Sequence, residues 1–189
     1  MCDRNYHLIL FQIILVFYLL VLPHPSEAFE ATESEIKAAY LFKFTRFVVW
    51  PESRLGPPDS TFKVCVLGKN PFAKVLEKLT ALKVEGHPIA INYPNSIDTA
   101  KNCHLLYIAY SDPDRVAQIL NSITDLPILT VSSAPNFVQL GGAIGFMQVG
   151  QNLRFAISNS ACRRHGLECS AKLLEAAVYV FDYRRENTL

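Results

Sequence analysis

Hydrophobic and polar residues recur with helical spacing after position 30, which predicts a helix over residues 33–49. Thr32 and Glu35 form the pattern of a capping box at its start, and Pro51 disfavours helix at the residue before it. Lys43 projects from the apolar arc, where its amine either reaches past the edge of the core or contacts a ligand. The residues expected to face inward are Ile36, Ala39, Tyr40, Phe44 and Phe47.

Strand and helix patterns then alternate through the middle of the chain. The predicted strands cover residues 62–67, 88–93, 104–109 and 128–131. Asn70 and Asp112 each precede a proline, and they are predicted to cap helices that begin at Pro71 and Pro113. The inward residues are Phe72, Val75, Leu76 and Leu79 in the first helix and Val116, Ile119, Leu120 and Ile123 in the second.

The last third of the chain has the pattern of a hairpin followed by helices. Strands are predicted at 143–149 and 153–157, with the turn at residues 150–152. A short helix ending at Gly166 and a final helix over 170–181 follow. The whole pattern predicts a single α/β domain with a largely parallel sheet, flanking helices and an antiparallel edge hairpin.

The first 28 residues have the order of a secretory signal: a short charged start, an apolar run at 8–22, and small residues at the exit. Cleavage is expected after Ala28, which leaves residues 29–189 as one domain in the periplasm. The run is shorter than the roughly 20 apolar residues of a spanning helix. An uncleaved membrane anchor is the alternative.

Charge narrows the classes of partner. The chain has 189 residues with 18 basic and 17 acidic side chains, a formal net charge of +1. Loss of Arg4, Asp3 and Glu27 with the signal would leave 17 basic and 15 acidic residues. This balance argues against nucleic-acid binding, whereas a protein partner or a small anion remains compatible with it.

Four cysteines remain after the signal, which in an oxidising compartment indicates two disulfides with three possible pairings. Cys162 and Cys169 flank a predicted turn, and Cys65 and Cys103 lie in or beside strands of one sheet. The pairings expected are therefore Cys65 with Cys103 and Cys162 with Cys169. A metal site that combines these sulfurs with histidines is the alternative, but no closely spaced C-x-x-C pair supports it.

Polar residues follow several strands at the carboxyl edge of the predicted sheet, where ligands bind in such folds. They include Lys69, Asn70, Ser111 and Ser132. Two predicted helix N-termini, at Pro71 and Pro113, would point into the same region and favour a small anion. Simple helix capping by Asn70, Ser111 and Asp112 is the alternative.

Catalytic motifs are missing from the sequence: it has no nucleophile elbow, H-E-x-x-H pair or phosphate loop. His87, His104 and His165 are expected to be structural or exposed. No catalytic residue, cofactor or metal ion is therefore predicted. Arg154, Arg163 and Arg164 cluster near the end of the chain, either on a solvated face or as a surface for a partner or an anion.

Four blocks of sequence resemble the YfiR family, in order, over residues 35–177. The blocks are KAAYLFKFTRFVVWP, VCVLGKNPFAKVLEKL, CHLLYIAY and GGAIGFMQVGQNLRFAISNSACRRHGLECSAKLLEAA. The last block is the most specific, and within it Ala143 and Gly145 depart from the larger residues often found in the family.

This resemblance implies a bacterial periplasmic protein with two disulfides that represses an inner-membrane diguanylate cyclase by binding its periplasmic sensor region. It also implies an outer-membrane lipoprotein that relieves repression by sequestering the repressor, and a tendency to form homodimers. A periplasmic small-molecule binder, accessory to a transporter or sensor, is the alternative function, and an envelope enzyme is the weakest candidate.

Overall fold

The computed structural model describes residues 31–182, and strands and helices alternate through them as the sequence predicts. The strands are β1 (Val48–Val49), β2 (Phe62–Gly68), β3 (Lys83–Val84), β4 (His87–Asn92), β5 (Leu105–Ala109), β6 (Leu129–Ser132), β7 (Ile144–Val149), β8 (Asn152–Ser158), β9 (Glu168–Cys169) and β10 (Tyr179–Phe181). The α-helices are α1 (Glu33–Phe47), α2 (Glu52–Leu55), α3 (Ile97–Ala100), α4 (Pro113–Ser122), α5 (Asn159–Arg164) and α6 (Ala171–Ala176), with a 3-10 helix at Val75–Ala81.

Eight of these strands form one mixed sheet in the order β10-β8-β7-β6-β5-β2-β4-β3. The five strands from β7 to β4 run parallel, and β7 and β8 form the antiparallel hairpin near one edge. Short β1 and β9 pair separately. The predicted α/β fold, with its parallel sheet and antiparallel hairpin, is confirmed.

Helices cover both faces of the sheet, because alternate residues of each strand point to opposite sides. On one face, α1, the 3-10 helix, α5 and α6 enclose a core that includes Phe44, Phe62 and Phe155. On the other face, α3 and α4 pack over β2, β5 and β6, and Phe137 closes this second core from the loop after β6. Both α1 and α4 begin at the caps expected from sequence, with Thr32 and Asp112 accepting backbone hydrogen bonds.

The helix predicted to begin at Pro71 is wrong in its type and start. Asn70 instead closes a local turn, in which its Oδ1 accepts from the Phe72 amide at 2.8 Å and its Nδ2 donates to the Ala73 carbonyl at 3.1 Å. Ala73 has a positive φ of 48°, so a continuous α-helix from Pro71 is not formed. The 3-10 helix begins later, at Val75.

The predicted final helix over residues 170–181 is wrong in its second half. Helix α6 ends at Ala176, and the chain then extends as β10 in parallel with β8. The segment Val-Tyr-Val-Phe at 178–181 consists of β-branched and aromatic residues, which fit a pleated sheet better than a helix.

The buried face of α1 also differs from the predicted one. Its buried residues are Ala38, Leu41, Phe44 and Thr45, whereas Ile36 and Phe47 are 37% and 38% exposed. Apolar residues surround most of this helix, so its spacing alone allowed more than one inward arc. Lys43 is exposed, with its Nζ 5.9 Å from the centroid of the Tyr40 ring.

The predicted signal and its cleavage after Ala28 lie outside the described residues. Within residues 31–182, no helix combines the length and the apolar character needed to cross a bilayer.

Candidate functional site

The four residues predicted to bind a ligand lie at the carboxyl ends of neighbouring parallel strands. Gly68 pairs with Ala109 and Ile108 pairs with Ser132, so the segments after β2, β5 and β6 are neighbours. A Cβ at Gly68 would lie 3.1 Å from both the Ala109 carbonyl and the Tyr110 ring. Tyr110 therefore packs closely against the chain where the strand order reverses.

Two of the polar side chains at these strand ends, those of Ser132 and Asn70, form hydrogen bonds with nearby backbone groups. The Ser132 hydroxyl is fully buried, donates to the Ile108 carbonyl at 2.7 Å and accepts from the Ala134 amide at 3.0 Å. Asn70 makes the turn described above, while Lys69 and Ser111 are exposed. Because the helix at Pro71 is not formed, one of the two helix N-termini expected to attract an anion is missing, and the ligand site stays a prediction.

All three described histidines are buried and bonded to the backbone. His104 Nδ1 accepts from the Lys63 amide at 2.9 Å, so its Nε2 donates to the Arg54 carbonyl at 3.0 Å. Nδ1 of His165 lies 2.7 Å from the Leu126 carbonyl, and that of His87 lies 3.0 Å from the Ser60 carbonyl. Burial lowers the pKa of His104 and that of His165, so both rings are held neutral as structural groups.

The two cysteine pairs differ. Cys65 and Cys103 form the predicted disulfide, with their Cα atoms 6.0 Å apart. Cys162 and Cys169 are buried free thiols. The hydrogen bond between their thiols and burial both raise the pKa of Cys162. The second bridge is thus not formed in this structure, and it stays a prediction for the oxidised protein. No group of three metal-binding side chains occurs between residues 31 and 182.

The three predicted partner-binding arginines make separate contacts, and their role stays a prediction. Arg163 pairs with Asp182, which follows β10, while Arg164 donates to the Gly141 carbonyl at 3.3 Å. Arg154 lies on β8 opposite Met147, four residues before the end of that strand. Arg163 borders a cavity of about 600 Å³, whose wall also includes Trp50.

An apolar surface that the sequence analysis missed lies beside Arg163, at the β10 edge of the sheet. Val178, Tyr179 and Val180 are 36%, 56% and 47% exposed. We define these three residues as the β10 edge. A cavity of about 500 Å³ adjoins it, bordered by Tyr179, Phe181 and the loop after β6. The alternation of β-branched and aromatic residues was the signal that could have located it.

Arginine and tyrosine are among the residue types enriched in protein interfaces. Among the described residues, β10 is the last strand of the sheet, and a strand in that position can offer backbone groups to a partner strand. Together, the β10 edge and Arg163 form a surface suited to binding a protein.

Comparison with known proteins identifies a family. The YfiR/HmsC-like family matches residues 34–178. No curated protein matches the chain. A crystal structure of a conserved domain protein from Vibrio cholerae O1 biovar El Tor has a similar fold, with a TM-score of 0.53 and 11% identity over 80% of this chain. The chain spans 61% of the length of that protein. At this identity the likeness concerns the fold alone, but the family match covers most of the sequence. The chain belongs to the YfiR/HmsC-like family.

Proposed function

We propose that this protein restrains an inner-membrane diguanylate cyclase by binding the cyclase's periplasmic sensor region. The observation that supports the proposal is the family match over residues 34–178. Membership suggests a periplasmic regulator of diguanylate cyclase signalling, in a family that is regulatory and not catalytic. In this protein, the Cys65–Cys103 disulfide is consistent with an oxidising compartment.

We assign the contact with the cyclase to the β10 edge and Arg163. Tyr179 is the most exposed of the three edge residues, at 56%, and it projects beside a cavity that a partner side chain can enter. Arg163 supplies a charge whose pairing with Asp182 holds it next to β10. Such a surface gives a partner an aromatic anchor, a charge and the last strand of the described sheet.

Repression of this kind requires only a difference in affinity. If the protein binds the inactive sensor conformation about 3 kcal/mol more tightly than the active one, the equilibrium shifts more than about a hundredfold. No chemical step is involved. An outer-membrane lipoprotein that sequesters the protein would release the cyclase, and the protein is expected to form homodimers.

The test measures cyclic di-GMP in cells that express the cyclase. Deletion of the gene should raise cyclic di-GMP, and the wild-type gene should restore the lower level. Tyr179→Ser should fail to restore it, because the aromatic anchor is lost. Leu82→Ser is the matched control, since Leu82 is 38% exposed and precedes β3 at the opposite edge of the sheet.

Unchanged cyclic di-GMP after deletion would contradict the regulatory proposal, and the small-molecule accessory function would then take first place. Equal loss of repression by Tyr179→Ser and Leu82→Ser, with both variants folded, would instead contradict the assignment of the surface. Circular dichroism of the purified variants checks their folding.

A further inference from the structure

Two adjoining cavities lie around Lys63, away from the β10 edge. One has a volume of about 310 Å³ and is bordered by Arg54 and His104, and the other has a volume of about 220 Å³ and is bordered by Asn92. Lys63 and Asn102 line both cavities. We define the two together as the Lys63 cleft. Their combined size falls in the range of small-molecule sites.

The Lys63 cleft contains positive charge and lacks negative charge. Arg54 and Lys63 line it, and no aspartate or glutamate is among its lining residues. The nearby Lys101 is already paired with Asp98, at 2.8 Å. Burial lowers the pKa of His104, and repulsion from Arg54, Lys63 and His87 lowers it further, which reflects a positive potential at the cleft.

Arg54 has an unused donor. Its Nη2 donates to the Lys101 carbonyl at 2.8 Å and to the Cys103 carbonyl at 2.7 Å, and these bonds fix the guanidinium. Its Nε is buried without a hydrogen-bond partner, and it is the only buried side-chain nitrogen or oxygen of residues 31–182 in that condition. The guanidinium of Arg54 is therefore held in place by these two bonds without being fully hydrogen-bonded.

An oxyanion between Arg54 and Lys63 would offset the positive charge of the cleft. Guanidinium groups bind carboxylate and phosphate oxygens through paired N–H donors, and lysine binds them as a point charge. Ser60, Thr61 and Asn102 line the cleft as neutral side chains able to donate further hydrogen bonds.

We propose that the Lys63 cleft binds a small ligand through an oxyanion group, a carboxylate or a phosphate, held between Arg54 and Lys63. The larger cavity takes the anionic group, and the cavity beside Asn92 takes the remainder of the ligand. This site differs in position from the predicted site at Lys69 and Ser132 and from the β10 edge. It therefore stands independently of the proposed regulatory function.

The sequence analysis missed this site because its two cations come from separate segments. Arg54 belongs to α2 and Lys63 to β2, and no spacing pattern connects them. Only the fold of α2 against the segment before β5 brings them to one cavity.

The test is an NMR titration of the described domain's amide signals in the full mature protein with sodium phosphate, and separately with sodium succinate, at constant ionic strength set with chloride. Either anion should shift signals around Lys63 and Asn102 and saturate at millimolar concentration, as befits one small charged group. Lys63→Gln should weaken binding at least about tenfold. Lys172→Gln, which changes an exposed lysine outside the cleft, should leave it unchanged.

A second readout separates a specific site from general charge attraction. A bound anion should raise the pKa of His104, because it offsets the repulsion from Arg54 and Lys63. Saturation by phosphate alone would identify the ligand group as a phosphate, and saturation by succinate alone as a carboxylate. No saturable shift with either anion up to about 50 mM, or equal effects of Lys63→Gln and Lys172→Gln, would overturn the proposal.

Discussion

The two cysteine pairs lie in the two different hydrophobic cores of this protein, and they differ in their bonding state. Cys65 and Cys103 form a disulfide in the core between the sheet and α4. Cys162 and Cys169 lie as thiols in the other core, under the end of the sheet that carries the β10 edge. Both pairs were expected to form bridges for the same reason, proximity in the fold.

The difference between the pairs follows from what each one joins. The first connects residues 38 apart in sequence and fastens the segment before β5 to the neighbouring strand β2. The second spans only α5 and the turn at Gly166, which backbone hydrogen bonds already hold. In this structure a covalent link thus stabilises the core beneath α4, and close packing surrounds Cys162 and Cys169 in the other core.

Removing each pair in turn tests this contrast, and we expect the largest effect at the first. Cys65→Ser with Cys103→Ser should lower the free energy of unfolding by about 2–5 kcal/mol, close to the roughly 4 kcal/mol that loop closure gives for this separation. Cys162→Ala with Cys169→Ala should cost less, because it removes packed sulfur atoms and, where oxidation has formed it, a bridge that closes only a short loop. Urea unfolding of both double variants under oxidising conditions measures the difference.

Peptide mapping without reduction accompanies that experiment. The bridge between Cys65 and Cys103 should be complete, and oxidation should add a bridge between Cys162 and Cys169. A peptide that joins Cys65 to Cys162 or Cys169 would contradict the assignment, as would a larger stability loss from the second pair than from the first in reducing buffer.

A second experiment tests close packing in the core that contains the disulfide, at the place where Phe137 meets the start of the hairpin. A Cβ added at Gly142 would lie 2.2 Å from the Phe137 ring, which is fully buried. Gly142→Ala should therefore lower the free energy of unfolding by about 1–3 kcal/mol through overpacking. Gly150→Ala is the control, since nothing lies within 4 Å of its added carbon and only its positive φ of 59° opposes the change. A smaller effect at Gly142 than at Gly150 would show that the surroundings of Phe137 repack easily.

The smallest effect expected is a pH dependence shared by the two halves through one buried histidine each. The pKa of His104 and that of His165 lie below the ordinary value of 6.5, mainly because of burial. The unfolded chain therefore binds more protons, so stability is complete above about pH 6.5 and falls as the pH decreases below it, by at most about 1.4 kcal/mol per pH unit for each ring. The charged groups that act on these rings are Arg54, Lys63 and His87 at His104 and Arg164 and Asp125 at His165.

Urea unfolding between pH 7.5 and 5 measures this slope, roughly over the range where histidine titrates. His104→Gln and His165→Gln should each reduce it by the contribution of one proton. A wild-type slope that neither substitution changes would mean that other groups set the acid response.

The sequence predicted the parallel sheet, the caps at Thr32 and Asp112 and the first disulfide because each depends on a local or repeated pattern. It failed at Pro71, where Asn70 bonds its neighbours in a turn instead of starting a helix. It failed again at 178–181, where a segment with helical spacing extends and pairs with β8 as the strand β10. The Lys63 cleft was beyond reach for a different reason, since it exists only through tertiary contacts between α2 and the sheet.

Trp50 provides an optical consequence of this architecture. It is the single tryptophan of the sequence and is only 3% exposed. Its indole nitrogen donates to the His104 carbonyl at 3.3 Å, and its ring lies edge-on to Phe62 with centroids 5.0 Å apart. It also borders the cavity next to Arg163. One native fluorophore therefore stands between the Lys63 cleft and the proposed partner surface, and its emission can report on ligands and partners of the unlabelled protein.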